Sequence, residues 1–410
     1  MKKIMLLIPI LLVLLIIIDI SIIKNSSKTT IEVKTKKTQE SSIIKDIMNS
    51  KNYSQIYTKQ NTWHKFLENN NNLIIKDIFK YKEYVYITAE SKEIKKKIHI
   101  YKIDKYGNIK KHIEITESIY TEINSFILAD SIFILSGYKN FKPYILEVDI
   151  NGNILRSKTL NFSGKIKKIK IDNFDSIYIV GYKIDNNKKI GFMYEINPSL
   201  ELLNEFNITW YNDEILEDIE TDKNYIYLLG NTNSTANNNW DIFIIKLNKL
   251  NYSDYSIKKF GSENLEDYAY SFTKDNKYFY IAGYSSPLEN YPWKTLIIKT
   301  DNNLQKIWRT DYLMKKSSRG LSITQTLDKI AVTGYALEKN NDFDGYSLFI
   351  EKQTGIVLFE NYYGTLLDER LTKVYNYNDG LIFSGYQKNG EIIKGLIIYT
   401  DINGKSNFIK

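Results

Sequence analysis

The chain has 410 residues, of which 43% are hydrophobic and 25% are charged, a balance that predicts a folded core and excludes a disordered chain. It contains no cysteine, which excludes disulfides, thiolate metal sites and cysteine nucleophiles. Residues 1–60 hold ten Lys and four acidic residues and so carry +6 of the net charge of +8, which leaves +2 for the other 350 residues. Because a nucleic-acid binder concentrates basic residues on one folded face, we expect no nucleic-acid partner.

Near the N-terminus, Lys2 and Lys3 precede a mainly apolar run over residues 4–23. This stretch is 20 residues long, with Asp19 and Ser21 as its polar members, and that length is enough to cross a hydrocarbon core of about 30 Å as one helix. We therefore predict a signal-anchor or transmembrane helix over 1–23, a polar tether over 24–59, and a body that lies outside the cytoplasm in the cell envelope. The alternative is a signal peptide that is cleaved, which would leave the body secreted.

One pattern recurs from residue 73 onward: a run of aromatic and β-branched residues that ends in Gly, usually followed by Tyr. The seven key positions, about 49 residues apart, are Ala89, Gly137, Gly181, Gly230, Gly283, Gly334 and Gly385. A period of this size is typical of propellers and helical arrays. The runs are five to eight residues long and are bounded by Asn, Asp and Gly turns, which indicates strands.

These strands predict an all-β fold, a seven-bladed β-propeller of four-stranded antiparallel blades over 60–410. In one unit the predicted strands are 267–272, 278–284, 295–300 and 305–312, from the innermost to the outermost. Two segments compete for the outer position of the last blade, one around Trp63 and one over 403–410. We predict that the segment around Trp63 pairs with the last blade, because an unpaired apolar edge promotes aggregation.

Several units resemble the bacterial SBBP-type β-propeller repeat. The likeness is carried by Phe260-Gly261-Ser262, by Asp267 and Ala269, and by the run YFYIAGYSS that ends at Ser286. It covers about 60–410 and implies an exported propeller. It implies no particular activity.

Arg319 and Arg370 lie 15 residues before Gly334 and Gly385, respectively. Equivalent positions in adjacent blades place both guanidinium groups at one level, near the start of the innermost strands. Together they are candidates for binding a carboxylate or phosphate. The alternative is that each pairs with neighbouring acids such as Asp368 and Glu369.

Five tyrosines follow the key glycines: Tyr138, Tyr182, Tyr284, Tyr335 and Tyr386. They are candidates for an aromatic ring around one rim that stacks on sugars or peptide side chains. The repetition also follows from blade packing alone.

Asp342, Asp344 and Glu351, with Asn340, have the spacing of a calcium-binding loop. Calcium is the only cofactor that the sequence suggests. Against it, an Asp at position 344 commonly closes a turn before a strand. The three histidines at 64, 99 and 112 have no metal-ligand spacing and are predicted to be surface residues.

Two functions remain open. The first is a non-enzymatic, membrane-anchored binding or scaffolding module whose partner is a protein or saccharide of the envelope. The second is a propeller enzyme that acts on a saccharide or other envelope substrate at the channel mouth, with Arg319 and Arg370 near its site. A pocket that contains both arginines and two inward acids would favour the enzyme.

Overall fold

A computed structural model of the chain describes residues 62–67, 72–92, 96–118, 120–287, 292–338 and 342–409. The described residues form 28 strands in seven four-stranded antiparallel sheets. The predicted seven-bladed β-propeller is therefore confirmed. The predicted helix over 1–23 and the tether over 24–59 lie outside the described residues.

The strands follow one another from the propeller axis outward in the first six blades, after a single N-terminal strand, β1 (Trp63–Leu67). Blade 1 contains β2 (Leu73–Tyr81), β3 (Tyr84–Ser91), β4 (Lys97–Ile103) and β5 (Ile109–Thr116). Blade 2 contains β6 (Thr121–Ala129), β7 (Ile132–Lys139), β8 (Lys142–Asp149) and β9 (Ile154–Thr159). Blade 3 contains β10 (Gly164–Ile171), β11 (Ile177–Asp185), β12 (Lys188–Ile196) and β13 (Leu202–Ile208).

The second half of the ring repeats this arrangement. Blade 4 contains β14 (Glu214–Thr221), β15 (Tyr225–Thr232), β16 (Asp241–Asn248) and β17 (Asn251–Phe260). Blade 5 contains β18 (Leu265–Lys274), β19 (Tyr278–Pro287), β20 (Lys294–Asp301) and β21 (Lys306–Tyr312), close to the strands predicted for this unit. Blade 6 contains β22 (Ser317–Gln325), β23 (Lys329–Leu337), β24 (Phe343–Glu351) and β25 (Val357–Tyr363). Blade 7 contains β26 (Asp368–Tyr377), β27 (Gly380–Asn389) and β28 (Ile392–Asp401).

The ring is closed by β1, which pairs antiparallel with β28 as the fourth strand of blade 7. Trp63 lies opposite Tyr399, and Leu67 lies opposite Gly395. The prediction that the N-terminal segment completes the last blade is confirmed. The competing C-terminal segment makes a single bridge, from Ile409 to Tyr363 of blade 6.

The core lies between the blades rather than within any one of them. The middle strands are buried on both faces, as in the run IYIV over 177–180. One apolar cluster joins Val180 and Met193 of blade 3 to Leu228 and Phe243 of blade 4. Burial on both faces explains why these runs do not alternate between apolar and polar residues.

Each innermost strand carries one β-bulge at the same level. We call the seven residues that directly follow the bulges the bulge ring: Asp77, Ser125, Lys168, Asp218, Ser271, Ser322 and Lys373. The key glycines lie beside these bulges. A Cβ added to Gly334 would stand 1.8 Å from the carbonyl oxygen of Arg319, so the close approach of two backbones requires glycine.

No helix long and apolar enough to span a membrane occurs in the part of the chain that the structure describes.

Candidate functional site

The five predicted tyrosines occupy one level of the propeller, at the rim where the innermost strands begin. Each lies near the end of the second strand of its blade and opposite the third residue before the bulge-ring residue. For three of these tyrosines, the innermost strand of the next blade places a cation over the ring. The pairs are Lys165 over Tyr138, Arg319 over Tyr284 and Arg370 over Tyr335. At these three places an aromatic ring and a cationic side chain stand next to each other on the rim.

The row is most complete across blades 5, 6 and 7. We call it the Arg–Tyr row and define it as Tyr284, Arg319, Tyr335, Arg370 and Tyr386. Arg319 Cζ lies 4.7 Å from the centre of the Tyr284 ring, and Arg370 Cζ lies 5.0 Å from that of Tyr335. The two arginines are at equivalent levels of adjacent blades, as the sequence predicts, and Tyr335, which lies opposite Arg319 in blade 6, is a ring on which Arg370 stacks.

Arg370 has an internal counterion. Its Nε and Nη2 donate to the two carboxylate oxygens of Asp368 at 3.0 and 3.1 Å. The guanidinium also lies 4.2 Å from the centre of the Phe343 ring. Asp368 therefore already occupies the N–H edge of the guanidinium that would otherwise donate to an anion. Glu369, the other acid considered as a partner, instead accepts from Thr365 and Gln387.

Arg319 has no such partner among the described residues. Its Cζ lies 3.1 Å from the centre of the Trp293 ring, and its Nε is buried without a hydrogen-bond acceptor. A guanidinium carries five N–H donors, and a buried donor without an acceptor costs about 1–3 kcal/mol. Arg319 is therefore the rim cation that is best placed to bind an anion.

The other half of the rim is organised differently. Lys165 Nζ lies 4.9 Å from the centre of the Tyr138 ring and also pairs with Glu122 at 3.2 Å. Tyr182 lies 5.8 Å from Lys189 Nζ, which pairs with Asp213. Lys165 and Lys189 are therefore neutralised by acids, unlike Arg319.

The residues with calcium-loop spacing do not converge on one point. Asp344 is fully buried at the start of β24, where Lys315 pairs with it. Glu351 is the last residue of that strand and accepts from Thr354. Seven residues of extended strand separate the two carboxylates by about 23 Å. Asp342 directly precedes the strand, and Asn340 lies outside the described residues.

The histidines are placed unexpectedly. His99 is fully buried on β4, so the prediction of a surface residue is wrong there, because the third strand is covered by the neighbouring strand and blade. His64 and His112 are exposed, as predicted. The Nδ1 of His99 lies 3.0 Å from the Nε2 of His112. Burial, with the nearby His112, lowers the pKa of His99 to about 4.

No group of three His, Asp or Glu residues within the described ranges could hold a metal ion.

A cavity of about 1070 Å³ runs along the axis and is lined by residues of all seven innermost strands. Neither Arg319 nor Arg370 belongs to its lining, so the pocket that would have favoured an enzyme with both arginines is not formed. The bulge ring lies inside the cavity, except for Ser125. Sequence reasoning did not identify this ring. Counting back twelve residues from each key position, or thirteen in blade 3, would have found it.

The central charges of the cavity surround Asp77. Its carboxylate accepts from Ser125 Oγ at 2.7 Å and from Lys168 Nζ at 3.1 Å, and lies 3.8 Å from Lys373 Nζ. Burial alone would raise the pKa of Asp77, but the two lysines outweigh it and lower that pKa. Burial raises the pKa of Asp218 and lowers that of Lys373.

The chain matches no protein-family model and no curated protein sequence. Its fold is similar to the solved structure of the polysaccharide lyase Uly1, with a TM-score of 0.54 and 7% identity over 80% of this chain and 90% of that one. It is also similar to extracellular domains 1–2 of Drosophila Semaphorin 1b, with a TM-score of 0.54 and 8% identity over 83% and 86% of the two chains. The β-propeller domain of the Trilobed protease from Pyrococcus furiosus matches with a TM-score of 0.49 and 12% identity over 82% and 100% of the two chains. At these identities the two matches with a TM-score of 0.54 establish a likeness of fold alone.

Proposed function

We propose that this chain is a non-enzymatic binding module of the cell envelope that binds an acidic saccharide at the Arg–Tyr row. The observation that carries the proposal is the Arg319 guanidinium, which stacks on aromatic rings and has no acceptor among the described residues. The carboxylate of an acidic sugar would supply that acceptor. Arginine suits this role because its planar fork can donate two parallel hydrogen bonds to one carboxylate.

The neighbouring aromatic side chains support a saccharide as the class of ligand. Trp293 and Tyr284 hold the guanidinium from two sides, with ring centres 6.0 Å apart. Tyr335 and Phe343 pack edge to face next to them, with ring centres 5.1 Å apart. Aromatic side chains pair an apolar face with a polar tip, which suits the alternating C–H and hydroxyl surfaces of a sugar ring.

The proposal is tested by binding of oligogalacturonate, an acidic saccharide, to the full chain in detergent. We expect saturable binding to the natural chain and no measurable binding of uncharged maltohexaose. Arg319→Ala should weaken oligogalacturonate binding tenfold or more, because it removes a rim cation that has no counterion among the described residues. Isothermal titration calorimetry at fixed ionic strength measures these affinities.

Arg370→Ala is the matched control, because Arg370 occupies the equivalent position in the next blade and already pairs with Asp368. It should change the affinity less than threefold. Equal losses in the two variants, or equal binding of the acidic and neutral saccharides, would contradict the proposal.

We further propose that residues 4–23 anchor the chain in the membrane, that 24–59 tether it, and that the propeller lies outside the cytoplasm. The length of the apolar run and the lysines before it support this placement. Membership of the SBBP-type repeat family, suggested by the residues around Asp267, is part of the same proposal.

The membrane anchor predicts that the full chain remains in the membrane pellet after alkaline carbonate extraction. Protease added to spheroplasts should digest the propeller, because it lies outside the cytoplasm. Release of the chain by carbonate would contradict the anchor, and protection from protease would contradict the orientation.

A further inference from the structure

The axial cavity is a second candidate site, independent of the rim, because its lining divides into a charged part and a neutral part. All charged lining residues except Lys373 come from β2, β10 and β14. The lining from β18, β22 and the rest of β26 is rich in hydroxyl and amide groups, among them Ser271, Thr273, Ser322, Thr324, Gln325, Thr372 and Asn376. Such a division is suited to a ligand that is charged at one end and hydroxylated at the other.

Most cavity lysines already have a carboxylate within hydrogen-bond distance. Lys167 pairs with Glu217 at 2.9 Å, and Lys170 pairs with Glu220 at 2.9 Å. These pairs join blade 3 to blade 4, and they leave little positive charge to attract a ligand. Their role is to fix the wall of the cavity.

Lys373 differs from them. Among the described residues its ion pair is with Asp77, which is 3.8 Å away and is shared with Lys168, which is closer. Asp77 thus serves two ammonium groups, and Asp218 is the second acid that interacts with both of them. The described lining of the cavity as a whole contains seven lysines and four acids, so its charge is positive. Since each ammonium has three donors, Lys373 and Lys168 have free donors for an anion in the cavity. The lowered pKa of Lys373, caused first by burial, agrees with a cation that is incompletely compensated.

The bulge ring places a hydroxyl group beside Lys373. Ser322 Oγ accepts from the backbone N–H of Val374 at 3.2 Å, so its own proton remains available for donation. Ser271 occupies the same level in the neighbouring blade. Ser322 lies next to Lys373 around the ring, and Ser271 next to Ser322. A ligand held at Lys373 by its acid group would therefore meet hydroxyl donors and acceptors on the neutral side.

We propose that the axial cavity binds a small polyhydroxylated molecule that carries one anionic group, such as a sugar phosphate. The anion accepts hydrogen bonds from the donors of Lys373 that Asp77 does not use, and the hydroxyl groups of the ligand bond to the side that contains Ser271 and Ser322. The volume of about 1070 Å³ accommodates a monosaccharide phosphate together with bridging water.

The test is calorimetric titration of the full chain in detergent with glucose 6-phosphate, inorganic phosphate and glucose. We expect glucose 6-phosphate to bind at least tenfold more tightly than either of the other two probes, because only it uses both parts of the lining. Lys373→Met should weaken that binding tenfold or more. This change keeps the aliphatic stem and removes the charge.

Lys170→Met is the matched control, because it removes a cavity lysine that already pairs with Glu220. It should alter the affinity for glucose 6-phosphate less than threefold. Ser322→Ala is a second variant, which leaves all charges in place. It should weaken the binding of glucose 6-phosphate but not of phosphate. Absence of saturable binding up to 10 mM, equal affinity for phosphate and glucose 6-phosphate, or an unchanged affinity in Lys373→Met would overturn the proposal. Arg319→Ala should not affect this binding, so failure here and failure of the rim proposal are distinguishable.

Discussion

Gly334→Ala is expected to lower the free energy of unfolding by about 3 kcal/mol or more. The added Cβ would stand 1.8 Å from the carbonyl oxygen of Arg319 and 3.0 Å from the hydroxyl of Tyr346. The carbonyl belongs to a strand that is fixed on both sides, so the blade must open beside the bulge to admit a methyl group. Urea unfolding followed by tryptophan fluorescence measures the difference.

Blade 1 offers the matched control, because Ala89 stands at the position that the other blades fill with glycine. Ala89 is fully buried, and Ala89→Gly should cost only about 1 kcal/mol, the usual penalty for glycine within a strand. If Gly334→Ala destabilises the protein no more than Ala89→Gly does, the steric explanation of the repeated glycine is wrong.

The second large effect is a loss of stability in mild acid that originates at His99. The pKa of this buried imidazole is lowered to about 4 in the folded chain, whereas an unfolded histidine titrates near 6.5. Between pH 6.5 and pH 4 the unfolded chain binds more protons at this histidine than the folded chain does. The contribution of His99 to the free energy of unfolding is therefore fully present above pH 6.5 and is lost as the pH falls toward 4. This single group should remove about 2 kcal/mol by pH 5 and about 3 kcal/mol by pH 4.

His99→Gln isolates this contribution from the carboxylates that titrate in the same range. The variant should be less stable than the natural chain at pH 7.5, since packing in the blade is altered. Its further loss between pH 7.5 and pH 5 should be smaller by about 2 kcal/mol. Parallel stability curves for the two proteins, obtained by urea unfolding at several pH values, would show that His99 is not the source.

The fold could be predicted because its determinants are periodic. The key glycines mark the close approach beside each bulge, and the apolar runs mark strands buried on both faces. The place of β1 followed from the sequence separation of Trp63 and Ala89, which is the same number of residues as that of Trp308, on an outermost strand, and Gly334. Asp267, a residue of the SBBP-like pattern, has a clear structural role, since it accepts two hydrogen bonds of 2.8 Å from Arg309.

The candidate sites were only partly predictable, because they depend on partners from other blades. The sequence placed Arg319 and Arg370 at equivalent levels, but it could not show that Asp368 compensates one of them and that no described residue compensates the other. It also did not reveal Lys373 as a cavity residue. A bulge shifts the alternation of side chains by one position, so simple period-two reasoning gives the wrong face beyond it.

The pairing of β1 with β28 has a consequence for the order of events during synthesis. The first strand to leave the ribosome has no partner until Ile392–Asp401 has been made, more than 300 residues later. Before that moment the growing chain is a row of blades with two free ends, and each end blade has only one neighbour. A nascent or prematurely terminated chain should therefore depend on chaperones. In the closed ring every blade has two neighbours, so no blade is at an end where unfolding could begin.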